Sequence, residues 1–326
     1  MLELELMRAS KVLICAIVGS LALAVNLFAQ ARHTSTVGGI VDSTAAKSKL
    51  YVEEFKNLIS EEKKTFEIFD KKGEVKKRRI VESTFLVYPL SKAEGEVAEF
   101  RNVTAVDGKK IDRTDERSAN FFERVTASEN SQKEFDRIRD ESTRFDEDFA
   151  ISGLTLFQAV ALSDQLRPVF RFSLIGNDTI EGHEVYVIQF DQMKADPSIT
   201  VNSRVAPVGR ASHNYDIEID DETVELNARI RGKLWVDVET FNIRRELRER
   251  TIQPAGYSHP IVAAEDILEY SNSEFGILTP QKLTHVQYRV ALKSRETRKD
   301  TRVVFEYGKF SRPDVEVKST EVKAGK

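Results

Sequence analysis

What most limits the fold is the rhythm of the second half of the chain. From residue 169 to 310, stretches rich in Val, Ile, Leu, Phe, Tyr and Thr alternate with short polar segments, most of them carrying a Gly, Asn or Asp turn signal. Strands joined this tightly pair antiparallel, because parallel neighbours need long crossover connections. The turns at Gly176-Asn177-Asp178 and Glu181-Gly182 predict two successive hairpins from strands 169–175, 179–180 and 184–191. Further strands are expected at 226–237, 241–253, 264–271, 281–293 and 301–310. The first half opens the same way, with strands at 64–69, 77–90 and 97–106 separated by Lys72-Gly73 and Ala93-Glu94-Gly95. Asp107-Gly108 is the strongest hairpin signal, since that pair accepts the positive φ angles of a type I′ turn.

Helical periodicity is confined to three places. Leu50, Tyr51, Phe55, Leu58 and Ile59 mark an amphipathic helix over 44–62. Residues 112–148 alternate Asp, Glu and Arg around Phe121, Phe122, Val125, Phe135, Ile138 and Phe145, as helices lying on a sheet do. A more apolar stretch, 154–166, stops before Pro168. The expected class is α+β, mostly β: a curved antiparallel open (half) barrel with helices covering its concave side. A meander must curl to cover its own apolar face. Residues 193–223, with Pro197, Pro207 and Gly209, form a long loop, and no repeat suggests a solenoid or propeller.

The N-terminus is of another kind. Residues 12–28 are apolar apart from Gly19, Ser20 and Asn26, follow Arg8 and Lys11, and precede Ala29-Gln30-Ala31, the layout of a cleavable export signal. The alternative is a membrane anchor, for which a run of about 17 residues is short. Domain boundaries follow: a signal peptide over 1–31, a linker over 32–43, and a helix, meander and helical insert over 44–168. A β half-barrel over 169–312 continues the same sheet, and 313–326 form a flexible tail. Cleavage after Ala31 implies a periplasmic or secreted protein.

Chemistry is sparse. Cys15 is the one cysteine and lies in the export signal, so the mature chain has no disulfide, thiolate site or cysteine nucleophile. The formal net charge of −4 interleaves both signs, which leaves no basic field for nucleic acid. No Gly-x-Ser-x-Gly or glycine-rich phosphate loop occurs. His33, His183, His213, His259 and His285 are never paired at metal-ligand spacing and read as surface or strand-edge residues; no metal or cofactor is expected. The acidic runs at 146–148 and 220–222 lack the spaced ligands of a calcium loop and read as solvated turns. The arginines of 113–144 alternate with carboxylates, which intra-helix ion pairs explain.

In 228–245, Ala228, Ile230, Gly232, Leu234 and Val236 fall on one strand face and Trp235 on the other. Gly232-Lys233-Leu234-Trp235-Val236-Asp237, with Thr240 and then Ile243-Arg244-Arg245, resembles a hairpin of the outer-membrane lipoprotein-sorting (LolA/LolB-like) proteins. Residues 180–188 are similar to the strand pair that precedes it there. Residues 100–103 and 106–111, Arg113, Arg117 and 141–145 resemble uncharacterised secreted acidobacterial proteins. The first resemblance implies a half barrel with a helical lid enclosing an apolar cavity for acyl chains. The large insert at 112–166 and the absence of a lipid-modified cysteine depart from a membrane-attached receptor.

The leading expectation is therefore a non-catalytic periplasmic carrier of a lipid, lipoprotein acyl chain or other hydrophobic ligand. Strand alternation offers Trp235, Leu234, Phe172, Tyr186, Phe190 and Tyr288 as lining residues. A structural or interaction protein of the cell envelope, partnered by other envelope proteins, is the alternative. A hydrolase using Asp216, Glu218 or Asp220 with His213 ranks third.

Overall fold

Among the described residues, strand periodicity resolves into thirteen strands, eleven of them in one antiparallel sheet. The computed structural model describes residues 36–56, 58–93, 96–112, 114–146, 154–156, 158–201, 213–215, 226–294 and 296–312. The expected export signal with its cleavage site, and the expected C-terminal tail, lie outside the described residues. Residues 41–326 form one compact unit; of the first forty, only 36–40 are described, and 37–40 open a helix.

The sheet runs β4-β3-β2-β1-β13-β12-β11-β10-β9-β6-β5, and its two edge strands do not pair, so it is open. Its strands are β1 (Ile59–Phe69), β2 (Val75–Pro89), β3 (Val97–Val106), β4 (Lys109–Lys110), β5 (Phe170–Ile180) and β6 (His183–Gln192). The others are β9 (Leu226–Asp237), β10 (Ile243–Pro254), β11 (Ile261–Asn272), β12 (Leu278–Ala291) and β13 (Glu296–Ser311). Pairing of β1 with β13 joins the two halves of the chain into one sheet. Asp107 (φ 50°) and Gly108 (φ 75°) make the turn their sequence demands.

Three expectations are corrected. Gly176 does not end a strand; it sits at a bulge between Leu174 and Gly176, so β5 continues to Ile180 and one hairpin replaces two. Residues 154–156 and 158–169 form turns and two 3₁₀ segments, Val160–Leu162 and Arg167–Val169, in place of a helix. The first helix, α1 (Val37–Phe55), starts and ends earlier than expected, because Ile59 already opens β1. The long loop contains β7 (Ile199–Val201) and β8 (His213–Tyr215), a short parallel pair.

Helices lie against both faces of the sheet. Helices α2 (Thr114–Thr126) and α3 (Ser131–Ser142) bury Phe121, Val125 and Ile138 against Ala98 and Phe100 of β3. Asn130 caps α3 by accepting the Lys133 N–H. In a strand, neighbouring residues point oppositely, so Glu99 and Arg101 belong to the other face. There Tyr51 and Phe55 of α1 stack edge or face on Tyr270 and Phe85. The helices thus do not share one side, as the sequence reading had them.

Candidate functional site

The face covered by α1 and by residues 154–166 divides into a charged sector and an apolar sector. Glu62 and Lys64 of β1, Glu99 and Arg101 of β3, Glu246 and Arg248 of β10 and Asp266 of β11 are all buried in the first. Taking ions out of water costs several kcal/mol each unless partners are close. Here they are. Arg101 Nε donates to Glu62 at 2.7 Å and Nη1 to Glu99 at 2.8 Å. Lys64 donates to Asp146 at 2.7 Å. Arg248 Nε donates to Glu246 at 2.9 Å, and Asp266 faces Arg250 at 2.9 Å and His285 at 2.6 Å.

Burial and pairing compete in each group. Burial alone would raise Glu62, but Arg101 and Lys64 outweigh it and hold it below its usual range. Asp266 is likewise held far down by Arg250, His285 and Arg248 against burial. At the Lys64–Asp146 pair burial wins. It lowers Lys64, helped by nearby Arg101, and raises Asp146 despite the lysine. Burial also pushes the phenols of Tyr51, Tyr270 and Tyr307 well up.

The segment over this sector is fastened by its backbone. Glu99 accepts the Leu156 N–H at 3.0 Å and Glu246 accepts the Ala159 N–H at 2.8 Å. Thr155 Oγ1 shares a 2.6 Å hydrogen bond with Tyr307, and its carbonyl accepts from Tyr51 at 3.2 Å. Both carboxylates sit in a Glu-x-Arg pair, Glu99-x-Arg101 and Glu246-x-Arg248, with the two side chains on one strand face. An acyl chain has no donor to replace those N–H groups, so the charged sector is closed to purely apolar cargo.

The apolar sector lies on β5, β6 and β9. Register sets Phe172 opposite Phe190 and Gly232, Leu174 opposite Ile188 and Leu234, and Tyr186 opposite Val236. Of the expected lining residues, Leu234 and Phe190 are fully buried here, while Phe172 and Tyr186 are half-buried beside Leu174, which is 39% exposed. Trp235 lies on the opposite face, 5.8 Å from the Arg245 guanidinium, with its indole N–H donating to Asp178 at 3.3 Å. Tyr288 is elsewhere, in a groove of about 390 Å³ with Glu249 and Glu265. Burial, Glu249 and Asp266 raise the Glu265 carboxyl there.

The β9–β10 hairpin accounts for its own sequence. Asp237 Oδ1 accepts the Glu239 and Thr240 N–H groups, and Oδ2 accepts from Arg244 at 2.9 Å with His183 at 3.3 Å. Gly232 is required: a Cβ would fall 1.9 Å from the Leu247 carbonyl oxygen and 2.7 Å from the Phe190 ring. The Trp235 face carries a cross-strand row, Arg245, Glu269, Lys282, Glu306 and Lys63, each opposite the next. A groove of about 540 Å³ runs over it.

Two readings of single residues are overturned. Asp146, expected in a solvated turn, is buried on Lys64, and His285, expected at the surface, is buried on Asp266. Alternation held the signal for both networks, since Glu62, Lys64, Glu99 and Arg101 occupy core-phase positions. Asp216, Glu218 and Asp220 lie outside the described residues, as do the side-chain surroundings of His213. Among the described residues no three of His, Cys, Asp and Glu gather to hold a metal ion, and no helix is long and apolar enough to cross a membrane.

No protein-family model matches the chain, and no curated protein matches it. Among solved structures it is similar to a DUF1329 family protein from Desulfovibrio piger, at 12% identity and a TM-score of 0.32, over 87% of this chain and 95% of that one. It is also similar to a LolA superfamily protein from Nitrosomonas europaea, at 10% identity and a TM-score of 0.32, over 84% and 94% of the two chains. At those scores the likenesses carry no functional weight, and the reading of function rests on the geometry of the sheet.

Proposed function

We propose that this is a non-catalytic binding protein of the cell envelope that holds a hydrophobic ligand, a lipid or lipoprotein acyl chain, along the apolar sector of its covered sheet face. The observation that carries this reading is the open patch of Phe172, Leu174 and Tyr186. It is half-exposed, and it continues inward over Phe190, Ile188 and Leu234 with no charge between. Burial returns ~0.8 kcal/mol per methylene. Eight methylenes on this patch yield roughly 6 kcal/mol before association costs, a ceiling in the tens of micromolar range at about that energy, so binding is weak. Phe172 and Tyr186 would form the mouth of the site and Phe190 and Leu234 its floor. Trp235 and Tyr288 take no part in it.

The test is titration with a fluorescent fatty acid. Phe172→Asp and Tyr186→Asp, at half-exposed positions that can accept a charge, are expected to weaken uptake at least about tenfold with an unchanged circular dichroism spectrum. Uptake unaffected by both substitutions would exclude this sector. Capture of envelope proteins with no lipid co-purifying would favour the interaction role instead, through the charge-laddered opposite face.

A further inference from the structure

The two edges of the large sheet are built differently. One ends in β4, two residues long, both of them exposed lysines, and a short charged strand of this kind blocks further pairing. The other ends in β5, eleven residues long, and among the described residues nothing pairs with its outer side. Residues 170–180 contain neither Lys nor Pro, and Leu174 and Ile175 at their centre are 39% and 49% exposed. Free backbone donors and acceptors around an apolar centre are a template for another strand.

The β5–β6 register specifies what that strand must carry. Arg171 stands opposite Asp191, Leu174 opposite Ile188 and Asp178 opposite Val185. Along β6, Asp191 and Val185 each lie three positions from Ile188, on the face away from it. The bulge between Leu174 and Gly176 absorbs the extra residue. Arg171 and Asp178 are therefore placed symmetrically about Leu174 on one face of the sheet, with opposite charges. The Arg171 side chain is 63% exposed and only loosely paired with Asp191, at 4.0 Å, while Asp178 accepts from the Trp235 indole at 3.3 Å and the Thr179 N–H at 2.8 Å and would have to share those oxygens with an incoming arginine. A two-fold axis through Leu174 would set Arg171 of each copy across from the partner's Asp178.

We propose that β5 is a self-association edge, pairing antiparallel with β5 of a second copy about Leu174, with two Arg171–Asp178 contacts fixing the register. Antiparallel strand pairing supplies the backbone hydrogen bonds, and the half-exposed Leu174 and Ile175 of both copies lie beside the axis. The charge pairs exclude a slipped register, since a shift by one residue would move each arginine to the opposite face from its aspartate.

Analytical ultracentrifugation of the wild type, of Arg171→Asp and of Asp178→Arg tests this. The first variant carries two acidic groups on the edge and the second two basic ones. Each alone is expected to raise the dimer dissociation constant at least about tenfold. An equimolar mixture of the two is expected to recover association, because every contact in the mixed dimer is again complementary. A wild type that stays monomeric at millimolar concentration overturns the proposal. So does a dimer indifferent to both reversals, or a mixture that fails to recover. Neither substitution touches the apolar sector, so this outcome is independent of the lipid-binding test.

Discussion

Replacing Arg101 by Met isolates what the buried charges contribute. The guanidinium is 2% exposed and holds Glu62 and Glu99, themselves buried. Removing one member of a buried pair leaves the other uncompensated, at a cost of about 3–5 kcal/mol. At a slope of about 2–3 kcal/mol per molar urea, the midpoint falls by roughly 1–2 M. The sign of the pH dependence is the sharper test. In the wild type Glu62 lies below its unfolded value, so its stabilisation is present above that value and lost as pH falls through the folded one. Without Arg101, burial dominates and Glu62 rises above its unfolded value; its contribution is then favourable in acid and lost as pH rises. The stability gap between the two proteins should be widest near neutrality and shrink toward about pH 4. Urea unfolding followed by circular dichroism at several pH values measures it. A gap that is constant with pH, or below about 1 kcal/mol, would refute the argument.

Other consequences are open to direct measurement. Gly232→Val should cost at least about 3 kcal/mol, read from thermal or urea unfolding, because backbone and the Phe190 ring must both move. Asp146→Asn leaves Lys64 buried without its counter-charge and should destabilise by about 3 kcal/mol or more. The double change Lys64→Met with Asp146→Leu should recover most of that loss. Asp237→Ala removes two turn hydrogen bonds and the Arg244 contact, for an expected loss of about 2–3 kcal/mol. The emission of Trp235 should not change when a fatty acid binds, since the indole lies on the opposite face; a large shift would place the ligand elsewhere.

The sequence by itself determined the strands, their antiparallel order along most of the chain, the Asp107-Gly108 turn and the two faces of the Trp235 hairpin. These are local matters, decided by a side-chain period of two and by which residues tolerate a turn. It did not reveal that β1 pairs with β13, nor that residues 154–156 and 158–169 lie over the sheet as irregular chain. The reason for the second is visible at Ala159: Glu246 takes the Ala159 N–H that a helix would have given to the Thr155 carbonyl, and that carbonyl accepts from Tyr51 instead. Nor could composition tell that Lys64, Arg101, Asp146, Arg248 and His285 are buried, because a charged side chain goes inside only when enough partners surround it, and local pairs such as Glu99–Arg101 are completed here by groups from distant segments. Arg101 and Glu62 are 39 residues apart and Lys64 and Asp146 are 82 apart. Such meetings exist only after the chain has folded, and here they decide which part of the sheet face is sealed by buried ion pairs and which part keeps half-exposed apolar side chains.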